Sequence, residues 1–309
     1  MSEGKDEDTN TMMFCANCGT AGNDDIKLKK CTACYLVRYC GVKCQKEHRK
    51  QHKKECKKRA AELHDEILFK EPESSCFGDC PICCVPLSID LEQSSFMSCC
   101  SKFICNGCHY VNQTRELEGR LEHKCPFCRT ALPPTDEEFN RQLTKRIEVN
   151  DPVALRYMGW KKNNERDYKG AFEYYTKAAA LGDVNAHYQI SCLYRDGLGV
   201  EKDGKKQLHH VEQAAIGGHP RARHNLGCME ERNGKTDRAV KHWIIGANLG
   251  HEMSLECVKA LYKDGFVSKE NLAATLRSHK ATIDATKSPQ REAAAAFVNW
   301  QKECRSRAI

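Results

Sequence analysis

The residues of this chain best suited to chemistry are its cysteines: 17 of 21 fall within residues 15–128, mostly in short steps. The first block reads Cys15-x-x-Cys18, Cys31-x-x-Cys34, Cys40-x-x-x-Cys44 and His52-x-x-x-Cys56. The second reads Cys80-x-x-Cys83, Cys99-Cys100, Cys105-x-x-Cys108 and Cys125-x-x-Cys128. Each block offers eight Cys or His donors, enough for two tetrahedral Zn2+ sites, and a short step lets one turn present two sulfurs to one ion. Four zinc ions are expected, two per block. Filled this way, the sites keep no open coordination position, so the metal organises the chain and does not react.

Disulfide pairing of the same cysteines would need an oxidising compartment. Residues 1–14 are polar and acidic, with no apolar signal core, and no run of 18 apolar residues offers a membrane span. The chain is therefore read as intracellular, cytoplasmic or nuclear, with a disordered leader over 1–14. The formal charge of +7 falls to zero once 15 thiolates and four Zn2+ are counted. Nucleic-acid binding gains no support from that balance. Residues 43–59 do carry nine Lys or Arg against Glu47 and Glu55; this stripe is read as a solvated helix face that offsets the neighbouring thiolates. His48, between ligand pairs, is read as a surface residue.

The elements that position these donors are short. At 309 residues the chain should divide into two or three domains. Residues 57–70 read as a helix with Leu63, Ile67 and Leu68 on one side, broken by the EPESS segment at 71–75. Pro133-Pro134 closes the second block, and Thr135 with Glu138 forms a capping box for a helix to about residue 148. Beyond it the sequence repeats. ALRYMG at Ala154, AHYQIS at Ala186, ARHNLG at Ala222 and SLECVK at Ser254 align, 32, 36 and 32 residues apart. Their apolar fifth positions are Met158, Ile190, Leu226 and Val258. Second helical patterns end in Ala178-Ala179 before Gly182, Ala214-Ala215 before Gly218, and Ala247 before Gly250. Small residues let paired helices approach closely, and the pattern is that of a helical-hairpin solenoid. Cys192 and Cys228 share one repeat position and read as small core residues, while Tyr174, Tyr175, His210 and Trp243 read as packing. A last helix over about 289–303 is expected to cap the open end with residues 293–297 and Trp300.

The first block resembles a MYND-type zinc finger: Tyr39-Cys40, Cys44-Gln45 and His52-Lys53 stand where that family has Tyr-Cys, Cys-Gln and His-Lys pairs. The resemblance implies interleaved sites, with Cys15, Cys18, Cys40 and Cys44 on one ion and Cys31, Cys34, His52 and Cys56 on the other. MYND fingers bind short proline-containing peptides, but the family's Asp-Trp pair is replaced here by His48-Arg49, which removes a large apolar contact. The second block, with its closing CPFCR, resembles a RING finger. That resemblance implies Cys80, Cys83, Cys105 and Cys108 on one zinc and Cys99, Cys100, Cys125 and Cys128 on the other. Adjacent Cys99 and Cys100 can share an ion only if the backbone turns between them; His109, His123, Cys76 and Cys84 are the alternative donors. The repeats, with DGLGVEKD at Asp196, resemble Sel1-like repeats, relatives of the tetratricopeptide repeat and protein-binding scaffolds.

The fold class expected is small zinc-stabilised α+β modules followed by an all-α solenoid: a leader at 1–14, a MYND-type finger at 15–56, a helical linker at 57–75, a RING-type finger at 76–134, a connecting helix at 135–150, repeats at 151–285 and a capping helix at 286–309. The RING resemblance implies a ubiquitin ligase without a covalent catalytic residue. Ile82, Pro126 and Arg129 would contact the ubiquitin-conjugating enzyme, and substrate or peptide ligands would bind the repeats. A non-enzymatic adaptor is the alternative, and a nucleic-acid-associated regulator a third reading. No phosphate-cradling glycine loop, hydrolase elbow or open zinc motif is present in the sequence.

Overall fold

The computed structural model describes residues 14–307, with side chains through Cys304; apart from Phe14 the expected leader lies outside the described residues. The chain divides at Lys70 and Glu71 into two compact units.

In the first unit, β1 (Lys29–Lys30) pairs antiparallel with β2 (Arg38–Tyr39), and α1 (Val42–Leu68) follows. The helix expected after residue 57 is the continuation of α1, which begins inside the finger. Nothing after Gly41 interrupts it, since the run to Leu68 holds neither Gly nor Pro. The core of this unit is Cys15, Cys31, Cys34 and Tyr39, flanked by Leu28 and Val37. A core built mostly of sulfur donors leaves the fold to depend on what those donors bind.

The second unit opens with a hairpin of β3 (Ser94–Met97) and β4 (Lys102–Cys105), in which Phe96 faces Phe103 across the ladder. Helix α2 (Asn106–Glu118) follows, then α3 (Asp136–Glu148). Thr135 Oγ1 accepts from the Glu138 N–H at 3.2 Å. The Glu138 carboxylate pairs with Arg141 at 2.6 Å, so only half of the expected capping box is made.

The repeats run as α4 (Pro152–Asn164), α5 (Tyr168–Ala180), α6 (Val184–Asp196), α7 (Gly204–Ile216), α8 (Pro220–Arg232), α9 (Thr236–Asn248), α10 (Glu252–Lys263) and α11 (Lys269–Ala285). The register residues Ala154, Ala186, Ala222 and Ser254 are all 0% exposed, as close helix approach requires. Three residues before each stands the N-cap: Asp151, Asp183, His219 and His251 accept from the first-turn N–H groups. The histidines cap as neutral rings. Burial holds His219 down to about 3 and His251 to about 4, leaving Nδ1 as an acceptor.

Gly159 and Gly227 hold the same repeat position, and each faces an aromatic ring of the following helix. A Cβ on Gly159 would lie 2.6 Å from Tyr175, and one on Gly227 2.4 Å from Trp243 Nε1. In the middle repeat the equivalent positions are Ser191 and Val211, so a larger first residue accompanies a smaller second one. Gly227→Ala is accordingly expected to lose about 1–3 kcal/mol by overpacking, despite the better helix propensity of alanine. A lowered urea midpoint with unchanged slope would show it.

Tyr175 and Trp243 are core residues, as their reading as packing expects. Two expectations change. Cys192 and Cys228 are only partly buried. Helix α12 (Pro289–Arg307) does not close the repeats: it packs along α2, and α11 lies against α9 and α10 instead. The second cysteine block and the repeats also form one body. Phe96 stacks on Tyr157 with centroids 4.0 Å apart, Phe77 meets His219, and Cys76 N–H donates to Gly218 O at 3.1 Å.

Candidate metal centres

Four donor groups converge, each with its ligand atoms within 4.8 Å of one another: Cys15, Cys18, Cys40 and Cys44; Cys31, Cys34, His52 and Cys56; Cys80, Cys83, Cys105 and Cys108; Cys99, Cys100, Cys125 and Cys128. Sulfur separations include 3.6 Å for Cys18–Cys40, 3.8 Å for Cys31–Cys56, 3.8 Å for Cys83–Cys105 and 3.9 Å for Cys100–Cys125. A tetrahedron with Zn–S bonds of about 2.3 Å has edges of about 3.7 Å, whereas a disulfide needs about 2.05 Å. All 21 cysteines are free. The donor chemistry and the spacing both fit structural zinc.

The local backbone explains how short steps converge. After Cys15-x-x-Cys18 the Gly19 N–H returns to Cys15 O at 2.9 Å. The same closure joins Tyr35 to Cys31 (3.0 Å), Cys84 to Cys80 (2.8 Å) and Arg129 to Cys125 (2.9 Å). The closing residue is left-handed each time, at φ 71, 57, 53 and 61° respectively. Only the first is glycine; the other three carry a cost of about 1–2 kcal/mol each, which metal binding must offset. Cys99 and Cys100 converge for a related reason. They lie in the β3–β4 turn, where Ser101 takes φ 56° and its N–H reaches Met97 O at 2.8 Å.

Helices supply the remaining donors except Cys40, which lies between β2 and α1. Cys105 caps α2, its sulfur accepting from the Cys108 N–H at 3.4 Å, so both thiols sit where the helix dipole favours negative charge. Cys44, His52 and Cys56 ride on α1, with His52 Nε2 3.1 Å from Cys34 Sγ. His48 has a role that its reading as a surface residue missed: it stacks on His52 at 5.7 Å and 9°, and its Nδ1 lies 3.1 Å from Tyr39 Oη. The i, i+4 spacing of His48 and His52 was the available signal.

The alternative donors stand outside the four groups. Cys76 Sγ lies 3.6 Å from Asn185 Oδ1, and burial pushes its thiol up to about 12. Cys84 is exposed on the knuckle it closes. Burial lowers His109, whose Nδ1 has no hydrogen-bond partner among the described residues. His123 Nδ1 lies 3.2 Å from Glu116. Burial opposes the charge on Glu116, but the Lys124 N–H and His123 together hold its carboxyl below the usual range.

No sequence signal anticipated Arg291, at the start of α12. It donates to Pro86 O (2.6 Å), Val85 O (2.9 Å) and Thr286 O (2.7 Å), with Cys83 Sγ at 3.7 Å. Burial works against its charge, yet the Cys105 and Cys83 thiols more than compensate. Of the contact positions read from the sequence, Ile82 and Arg129 are exposed and Pro126 is half-buried. Arg129 Nη1 donates to Asn112 Oδ1 at 3.3 Å.

Family models match two parts of this architecture. Residues 15–56 match the MYND finger family, and residues 153–183 and 184–219 match the Sel1 repeat. Among solved structures, the Sel1 repeat protein from Oxalobacter formigenes is 20% identical, with 64% of this chain and 86% of that one covered, at a TM-score of 0.44. Also similar is c5321, a protective antigen present in uropathogenic Escherichia coli strains displaying an SLR fold: 20% identical, 63% of this chain and 40% of that one covered, TM-score 0.39. No curated protein matches the chain. The chain thus joins a zinc-binding N-terminal module to a Sel1-type helical solenoid, the composition of a protein-interaction adaptor. Among the described residues no helix is long and apolar enough to cross a membrane.

Proposed function

We propose that the second cysteine block is a RING-type module and that the chain is a ubiquitin ligase, presenting a ubiquitin-conjugating enzyme to proteins gathered on its repeats. The observation that carries this reading is the crossed ligand order: the donor pairs of Cys80, Cys83, Cys105 and Cys108 alternate along the chain with those of Cys99, Cys100, Cys125 and Cys128. Ile82 is 41% exposed beside the first pair, and Arg129 follows the last. The ligase contributes no nucleophile. Ile82 and Pro126 would seat the conjugating enzyme, and Arg129, which spends one N–H on Asn112, keeps other donors for the ubiquitin tail, holding the thioester in a reactive geometry.

Autoubiquitination by the zinc-loaded full chain across a panel of purified conjugating enzymes tests this. Ile82→Ala and Arg129→Ala should each slow transfer by about tenfold or more, at unchanged zinc content because neither side chain is a ligand. Absence of transfer with every enzyme, at full zinc content, would leave the second reading, a non-enzymatic adaptor. That reading is favoured by α12, which covers one side of α2.

A further inference from the structure

We propose that the basic face of α1 binds double-stranded DNA without sequence preference, through its phosphate backbone. Lys43, Lys46, Arg49, Lys50, Lys53, Lys54, Lys57 and Lys58 are all exposed, whereas Cys44, His48, His52 and Cys56, four residues apart, form the covered stripe of the same helix. At about 100° per residue, the eight cations spread over roughly half of the circumference, opposite that stripe, and along about 22 Å of axis. None of the eight takes part in an ion pair among the described residues.

That placement weakens the reading of the stripe as compensation for the thiolates. The donor groups lie across a helix about 10–12 Å thick, a distance over which exposed charges are largely screened at physiological salt. Charge therefore remains for a partner, and its arrangement selects among anionic ones. Single strands are gripped by aromatic platforms between cations, and residues 43–59 contain no Phe, Tyr or Trp. A membrane-surface helix needs an apolar face, which this ridge lacks. Protein interfaces centre on aromatic, Met and Arg anchors and are depleted in Lys, whereas seven of these eight residues are Lys. A helix carrying cations on both flanks matches the major groove of B-DNA, about 12 Å wide and walled by phosphates on either side.

The test is fluorescence anisotropy of a labelled 20-base-pair duplex of arbitrary sequence against the zinc-loaded full chain, between 50 and 200 mM salt. Binding should weaken steeply with salt, as counterion release requires. The combined Lys46→Gln, Lys50→Gln, Lys54→Gln and Lys58→Gln chain should bind at least about 30-fold more weakly at 100 mM salt, with the slope reduced by about one unit per lysine. Its zinc content and helicity should not change, and arginine at the same four positions should restore binding. The proposal is overturned if the glutamine chain binds the duplex as the parent does. It is equally overturned if polyglutamate, single-stranded RNA or anionic phosphatidylserine vesicles bind the parent more tightly than the duplex.

Discussion

Native mass spectrometry of the Cys100→Ser chain should count three zinc ions where the parent chain carries four, with hydrogen-exchange protection lost across β3, β4 and the 125–131 knuckle. The core of this block consists of Leu87, Met97 and Ile104 beside its cysteines. Three such side chains bring roughly 1.5–3 kcal/mol each, while ordering the backbone costs about 1–2 kcal/mol per residue. Metal must supply the difference, and structural zinc contributes about 10–16 kcal/mol in small modules. Removing one of four thiolates at the Cys99, Cys100, Cys125 and Cys128 group therefore removes the ion and the fold it holds. Cys76→Ser, Cys84→Ser, His109→Ala and His123→Ala should all retain four ions, because none of these residues joins a donor group. Four ions in the Cys100→Ser chain, or three in any of the other four variants, would refute the assignment.

How much of this was legible from the sequence depends on range. Donor pairs were readable because a short step constrains geometry within one turn, while their assignment to sets of four came with the resemblance to MYND and RING fingers; the repeat register was readable because Ala154, Ala186 and Ala222 recur at a nearly fixed period. The N-caps three residues before each register position were readable in principle. Two of them are Asp, but the other two are His219 and His251, a residue type that propensity alone does not nominate for a cap. The pairing of Gly159 with Tyr175 and of Gly227 with Trp243 was present as a correlation in size, which inspection of hydrophobic period does not detect. What could not be read was contact between distant segments. Arg291 reaches Val85 and Pro86 across some two hundred residues, and α12 carries an apolar pattern that fits the end of a solenoid as well as it fits α2. Periodicity says that a face is buried, not against what.

That ambiguity makes Gly107→Ala the most discriminating substitution in the second unit. Gly107 is the second residue of α2, and local propensity alone predicts that alanine there stabilises the helix by up to about 1 kcal/mol. Docking of α12 predicts the opposite. A Cβ at this position would stand 2.7 Å from Arg291 N and 2.9 Å from Gln290 C, both backbone atoms that cannot rotate away. The first turn of α12 must shift, and with it the guanidinium that satisfies Pro86 O and Val85 O and the seat of Phe297, 5.2 Å from Tyr110. Overpacking of about 1–3 kcal/mol, together with loss of the guanidinium hydrogen bonds to exposed Pro86 and to Val85 O, which keeps the Cys80 N–H, at about 0.5–1.5 kcal/mol each, gives an expected net loss of about 1–5 kcal/mol. Exchange protection should disappear along α12 while the zinc count stays at four, since no ligand is touched. Arg291→Ala should act in the same direction and less strongly, because it removes the hydrogen bonds without a clash. If Gly107→Ala raises the unfolding midpoint instead, α12 does not lie on α2, and the face of the second zinc module on that side is open to a partner.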